Sequence, residues 1–190
     1  VYGFAYKIAG ILQTVLIIPF SSALLPSTYK QYNTPGDKRY YSKLMTYMCF
    51  VLIWGSLVLS LFSNAAVNLF GGVKYKGAEI FVPVLLLSYV FSSMKNVANT
   101  GLLVSEKTFY IGILTIVSGL LNVALNIWLL PLYGVIAAAY TTLAAYMFLY
   151  FSTKFVADKH YTVPVETIKI VKLFFVAFGL YLLCVYLPIS

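Results

Sequence analysis

Lys95, Asn96 and Asn99 stand inside an otherwise apolar run, IFVPVLLLSYVFSSMKNVANTGLLV, that is long enough to cross a bilayer. A second run, FYIGILTIVSGLLNVALNIWLL, carries no charge but places Ser118, Asn122 and Asn126 four residues apart. Helical periodicity brings positions i, i+4 and i+7 to one face. Ser88, Ser92, Lys95, Asn96 and Asn99 therefore share one stripe, and Ser118, Asn122 and Asn126 share another. An ammonium and a row of amides facing lipid are costly, so both stripes are expected to face protein or a wet cavity. Lysines and amides without a carboxylate suit an anionic, hydroxyl-rich ligand.

Each of these residues has a plainer reading beside the functional one. Lys95 could snorkel along its own stem, but it lies about 13 Å of helix rise before Val104, roughly twice what a lysine stem spans. Lys7 near the chain's start reads equally as an interfacial lysine or a ligand contact. Asn122 and Asn126 read as interhelical glue or as cavity residues, and so do Asn96 and Asn99. Gln13 reads as glue. His160, beside Asp158 and Lys159, reads as a solvated connection residue.

The elements that position these side chains follow from composition. Only 9% of the 190 residues are charged and 62% are hydrophobic, with a mean hydropathy of +0.91. A water-soluble core cannot hide that much apolar surface at this length. The expected class is an all-α integral membrane protein with six spans, segments A to F, over residues 2–25, 44–69, 80–104, 108–130, 135–155 and 170–187. Each approaches the roughly 20 apolar residues that a hydrocarbon core needs. The short alternating segments of a membrane β-barrel are absent from the sequence.

Segment A is expected to stop at Pro26, with Gly3, Lys7, Gly10, Thr14 and Ser21 forming a face for close approach of a neighbour. A polar stretch with a Pro35-Gly36 turn signal follows. Pro131 is expected to end segment D. Ala137, Thr141 and Ala145 give segment E a small-residue packing face. Cys49 and Cys184 fall inside spans and read as apolar core residues.

Lys and Arg alternate between connections. Lys30, Lys38, Arg39, Lys43, Lys107, Lys154, Lys159, Lys169 and Lys172 flank the A–B, C–D and E–F turns, while only Lys74 and Lys76 serve the others. Nine against two places the first set in the cytoplasm. The net charge of +8 thus reads as topology signal, with anionic lipid as a secondary partner and no nucleic acid. Segment A then enters from the outer side, so the chain is expected to be a piece preceded by an odd number of spans. All five acidic residues lie in turns or at segment ends. No nucleophile set, metal cluster or phosphate loop is visible, and neither an enzyme nor a cofactor is expected.

Three stretches, YKIAGILQ with SSALLP, NVANTGLLVSEKT, and NVALNIWLLPLYGVIAAAYTTL, together resemble the second half of the polysaccharide-unit flippases. These are Wzx-like members of the multidrug/oligosaccharidyl-lipid/polysaccharide exporter superfamily. The resemblance extends over nearly the whole chain and rests most on Asn-x-x-Leu-Asn, the Pro-x-x-Gly turn and the Ala-rich helix. It implies a MATE-like two-bundle transporter of roughly 12–14 helices, of which this chain is part of the C-terminal bundle. It also implies a lipid-linked oligosaccharide as partner, the N-terminal bundle as a further one, and a bacterial cytoplasmic membrane. Lys7 and Lys95 would supply the cationic charge of the cavity. A multidrug exporter of the same superfamily and a membrane glycan polymerase or ligase are the rival expectations.

Overall fold

The structure, a computed structural model, describes residues 1–72 and 75–186. Lys74, counted above among the basic residues, and the expected end of segment F at Leu187 lie outside the described residues. Among the described residues there is no strand. Six helices are long and apolar enough to cross a membrane, and the protein is multi-pass. They are α1 (Tyr2–Gln31), α2 (Asp37–Leu61), α3 (Val82–Val104), α4 (Thr108–Tyr133), α5 (Val135–His160) and α6 (Thr167–Tyr186).

The core forms around α3. Half of its most apolar window is buried, against 6% for α4, because α3 carries apolar or small residues on almost every face. Leu85, Leu86, Val90, Val97 and Leu102 are all fully enclosed. It packs most extensively on α5, and also on α2 and α1; α4 leans mainly on α5, and α6 on α2. Lipid tails are as apolar as leucine, so these contacts depend on fit and on interhelical hydrogen bonds. At Gly101 the fit is close: a Cβ there would lie 2.8 Å from the Tyr161 carbonyl oxygen and 3.2 Å from the Ala157 methyl.

Several helix ends differ from the sequence expectation. Instead of stopping at Pro26, α1 runs on to Gln31. Its prolines are tolerated because the ladder is adjusted locally. Gln13–Ile17 forms a π-helical turn just before Pro19, with the Ile18 N–H donating to the Gln13 carbonyl. On either side of Pro26, hydroxyls bond back to carbonyls one turn earlier: Ser22 donates to Ile18 and Thr28 to Leu24. The π turn also shifts the buried face, which passes from Ala5, Ala9 and Leu12 to Ile17 and Leu24. The glycines of the face named for close packing stand in open space instead. A Cβ on Gly3 or Gly10 would meet nothing within 4 Å, since the tighter contact is made by Ala5 and Ala9.

Segment B is likewise displaced. α2 begins at Asp37, takes in the basic stretch DKRYYSK, and ends at Leu61, followed by short helical turns at Ser63–Ala66 and Val67–Gly71. Gly36, at φ 86, makes the left-handed turn that starts it. The Asp37 carboxylate then accepts the Lys38 N–H at 2.6 Å and the Asn33 N–H at 3.2 Å. α4 includes Pro131 and ends at Tyr133, where Gly134 (φ 64) reverses the chain. α5 extends to His160 because Lys154 pairs with Asp158 one turn on and donates to the Val163 carbonyl at 2.6 Å. Cys49 is buried, as expected, but Cys184 is exposed on α6, whose outer face no other helix covers; both are free.

Candidate functional site

The three basic connections meet at one end of the bundle. Tyr161, after α5, donates to Asp37, while Tyr41 in α2 donates to the Thr28 carbonyl at 2.7 Å. Lys38 lies 5.3 Å over the Tyr161 ring. Burial, reinforced by the bond to Asp37, pushes the Tyr161 phenol well above its ordinary value. Thr46 donates to Glu166 at 2.8 Å, and Lys169 donates to the same carboxylate at 2.6 Å. Those two bonds, the lysine's first, hold Glu166 below the ordinary glutamate value. This end is a closed hydrogen-bonded seam.

Between α1 and α3 the arrangement is different. Two adjoining hollows, of about 450 and 420 Å³, share Gln13 and Tyr89 as lining residues. Tyr6, Lys7, Gly10 and Thr14 line the outer one; Ser21, Ser22, Ser92 and Asn96 line the inner one. The π turn of α1 begins at Gln13, where the two meet. On α3, Tyr89, Ser92 and Asn96 fall at i, i+3 and i+7, so a single helical face supplies them.

Thr14 and Ser22 donate to the Gly10 and Ile18 carbonyls one turn back. Asn96 donates to Ser21 at 3.0 Å across the α1–α3 interface. The Tyr89 hydroxyl is buried near that of Tyr6 but makes no hydrogen bond, and the Asn99 side-chain oxygen is likewise buried without a partner. The Tyr6 and Tyr89 rings are tilted, with centroids 5.8 Å apart, and Tyr2 continues the group 6.2 Å from Tyr6. No carboxylate lines either hollow. No three metal-ligating side chains gather among the described residues.

The expected site residues therefore separate. Asn96 and Lys7 line the hollows. Lys95 is half-buried beside Asn96, lines neither hollow, and has no ion-pair or hydrogen-bond partner among the described residues. Asn99 is buried deeper on α3 and lines neither.

Asn122 and Asn126 stand apart, in the seam between α4 and α5 rather than with Lys95. Thr141 donates to the Asn126 side-chain oxygen at 2.9 Å, and the Asn126 amide nitrogen donates to the Asn122 carbonyl at 3.0 Å. Ser118 donates across the same seam to the Ala145 carbonyl at 2.8 Å. Their polar groups are used in packing, the glue reading. The small-residue face of Ala137, Thr141 and Ala145 is what lets α4 approach.

Sequence reasoning missed Tyr6 and Tyr89, and assigned Gln13 to glue. The available signal was phase: Tyr89 lies on the stripe of Ser92 and Asn96. A larger cavity, about 560 Å³, lies elsewhere, between α2, α3 and α6. Size does not make it the better candidate, because Ile53, Leu87, Phe174 and Phe178 line it and no charged group does. Compared with known proteins, the chain matches no family model, no curated protein and no solved structure.

Proposed function

We propose that this chain is one bundle of a two-bundle, MATE-like transporter that moves a lipid-linked oligosaccharide across a bacterial cytoplasmic membrane. The cargo would be an undecaprenyl-pyrophosphate-linked polysaccharide or O-antigen unit, passed from the cytoplasmic to the outer leaflet by alternating access. One observation carries the reading. The α1–α3 hollows gather neutral hydrogen-bonding groups and Lys7, beside a Lys95 unpaired among the described residues, with no carboxylate lining them. Such a lining favours an anionic, hydroxyl-rich ligand. The stretches resembling the polysaccharide-unit flippases include much of the α1 wall of these hollows and Asn96 of the α3 wall, which supports the same class. The basic end would face the cytoplasm, and the second bundle would complete the cavity around Lys95.

A multidrug exporter is the weaker reading, since Lys7 and Lys95 would repel organic cations. A glycan polymerase or ligase is weaker still. The connection from α4 to α5 is a single glycine turn.

The test is complementation by the complete gene in cells lacking their own flippase. Undecaprenyl-linked glycan remaining on the cytoplasmic side is measured, with ethidium efflux in parallel. The expected outcome is restored glycan export without dye efflux; dye efflux without glycan export would move the protein to the multidrug class. Lys95→Ala is expected to abolish export with insertion intact. Unchanged export at normal protein level would remove Lys95 from the site.

A further inference from the structure

We infer that Tyr89 and Tyr6, with Gln13 and Asn96, form a subsite that reads the sugar of the cargo, distinct from the lysines that would meet its pyrophosphate. The inference rests on the transport reading above and assigns the carbohydrate part of the ligand to a particular place.

Tyr89 carries the argument. Its side chain is 3% exposed, it lines both hollows, and its hydroxyl has no partner. Most buried side-chain polar atoms do have one, so a bare phenol beside a hollow is a bond left for something that enters. The neighbours specify what that is. Gln13 and Asn96 each carry a donor group and an acceptor group, and a tyrosine hydroxyl both donates and accepts. A hexose asks for that pattern along its hydroxyl rim. Its ring faces are C–H and pack on aromatic planes, which the exposed Tyr6 ring supplies 5.8 Å from that of Tyr89. A phosphate would instead be met by cations and backbone N–H groups; of the two lysines here, Lys7 lines only the hollow that Asn96 does not, and Lys95 lines neither. Asn96 is held by Ser21 across the interface, so it is positioned before any ligand arrives.

The test uses the complete protein in lipid nanodiscs and two probes: undecaprenyl pyrophosphate, and the same lipid carrying one N-acetylglucosamine. The wild type should bind the glycosylated probe more tightly. Tyr89→Phe keeps the ring and removes only the hydroxyl. It should reduce that preference roughly fivefold, the worth of about one hydrogen bond, and leave affinity for undecaprenyl pyrophosphate unchanged. Asn96→Ala should reduce the preference in the same sense. A purely packing role for Tyr89 predicts equal preference in wild type and Tyr89→Phe, and that result would overturn the subsite while leaving the transport reading intact. A wild type that does not distinguish the probes would also overturn it. Binding of neither probe by the wild type would remove the transport reading and the subsite together.

Discussion

The basic end of the bundle and the α1–α3 hollow are built from the same residue types and finished in opposite ways. At the basic end Tyr161 reaches Asp37, Tyr41 reaches a carbonyl, Thr46 and Lys169 share Glu166, and Lys154 holds Asp158. In and beside the hollow, Tyr89 and Asn99 keep bare oxygens, and Lys95 stands unpaired among the described residues. A polar group inside a membrane protein is costly unless satisfied. Where the chain completes its own bonds, polarity holds helices together. Where it leaves them open beside a hollow, the proposed function keeps that polarity for a ligand. Residue type alone does not separate the two cases; completeness does.

The largest expected effect on stability separates the regions through their glycines. Gly101, packed on the chain as it leaves α5, has backbone in the way: the Tyr161 carbonyl oxygen would lie 2.8 Å from a new Cβ. Gly10, beside the hollow, would meet nothing within 4 Å. Gly101→Ala should destabilise the protein by about 1–3 kcal/mol, as overpacking does. Gly10→Ala should be neutral or slightly stabilising, since alanine favours the helix by up to about 1 kcal/mol. Thermal unfolding of the purified protein in detergent measures both. Equal losses would mean that the hollow is as tightly packed as the seam, and the comparison would fail.

A smaller effect sharpens it with a single atom. Tyr161→Phe removes the hydroxyl that donates to Asp37 and should cost about 1 kcal/mol, discounted for the partial exposure of the pair. Tyr89→Phe removes a hydroxyl with no partner and should cost nothing in the unliganded protein. The same melts report both variants. A loss at Tyr89 comparable to that at Tyr161 would show that its hydroxyl is already satisfied without ligand.

The six spans were legible because each needs only a long apolar run, and bilayer thickness sets that length. The ends were not, since what extends α1 past Pro26 and begins α2 at Asp37 is bonding between segments. Tyr41 to Thr28 is one such bond, invisible to any single window of sequence. The amide stripes show the same limit more sharply. Asn96 and Asn126 have similar surroundings in sequence, yet one lines a hollow and the other is tied to Thr141, and only the neighbouring helix distinguishes them. Tyr89 was hidden by company: among 17 tyrosines, most expected at membrane interfaces, nothing but helical phase marked it.

The smallest predicted effect concerns pH. Glu166 is held below its ordinary value of 4.5, first by the hydrogen bond from Lys169 and then by that from Thr46. Because the folded state depresses this group, the stability it contributes is fully present above the unfolded value. It is lost as pH falls through the lower, folded one. The site is exposed, so the contribution is modest and weakened by salt. Thr46→Val keeps the side chain's shape and removes one of the two bonds. Its melting temperature should fall slightly below wild type at neutral pH, and the gap should narrow below pH 4.5. The hollow gives the control, for no carboxylate lines it, and the Tyr89→Phe melt should follow wild type across the same range. A gap between wild type and Thr46→Val that stayed constant through the acid titration would locate the threonine's effect in packing. The seam would then owe less to its completed bonds than the comparison with the hollow requires.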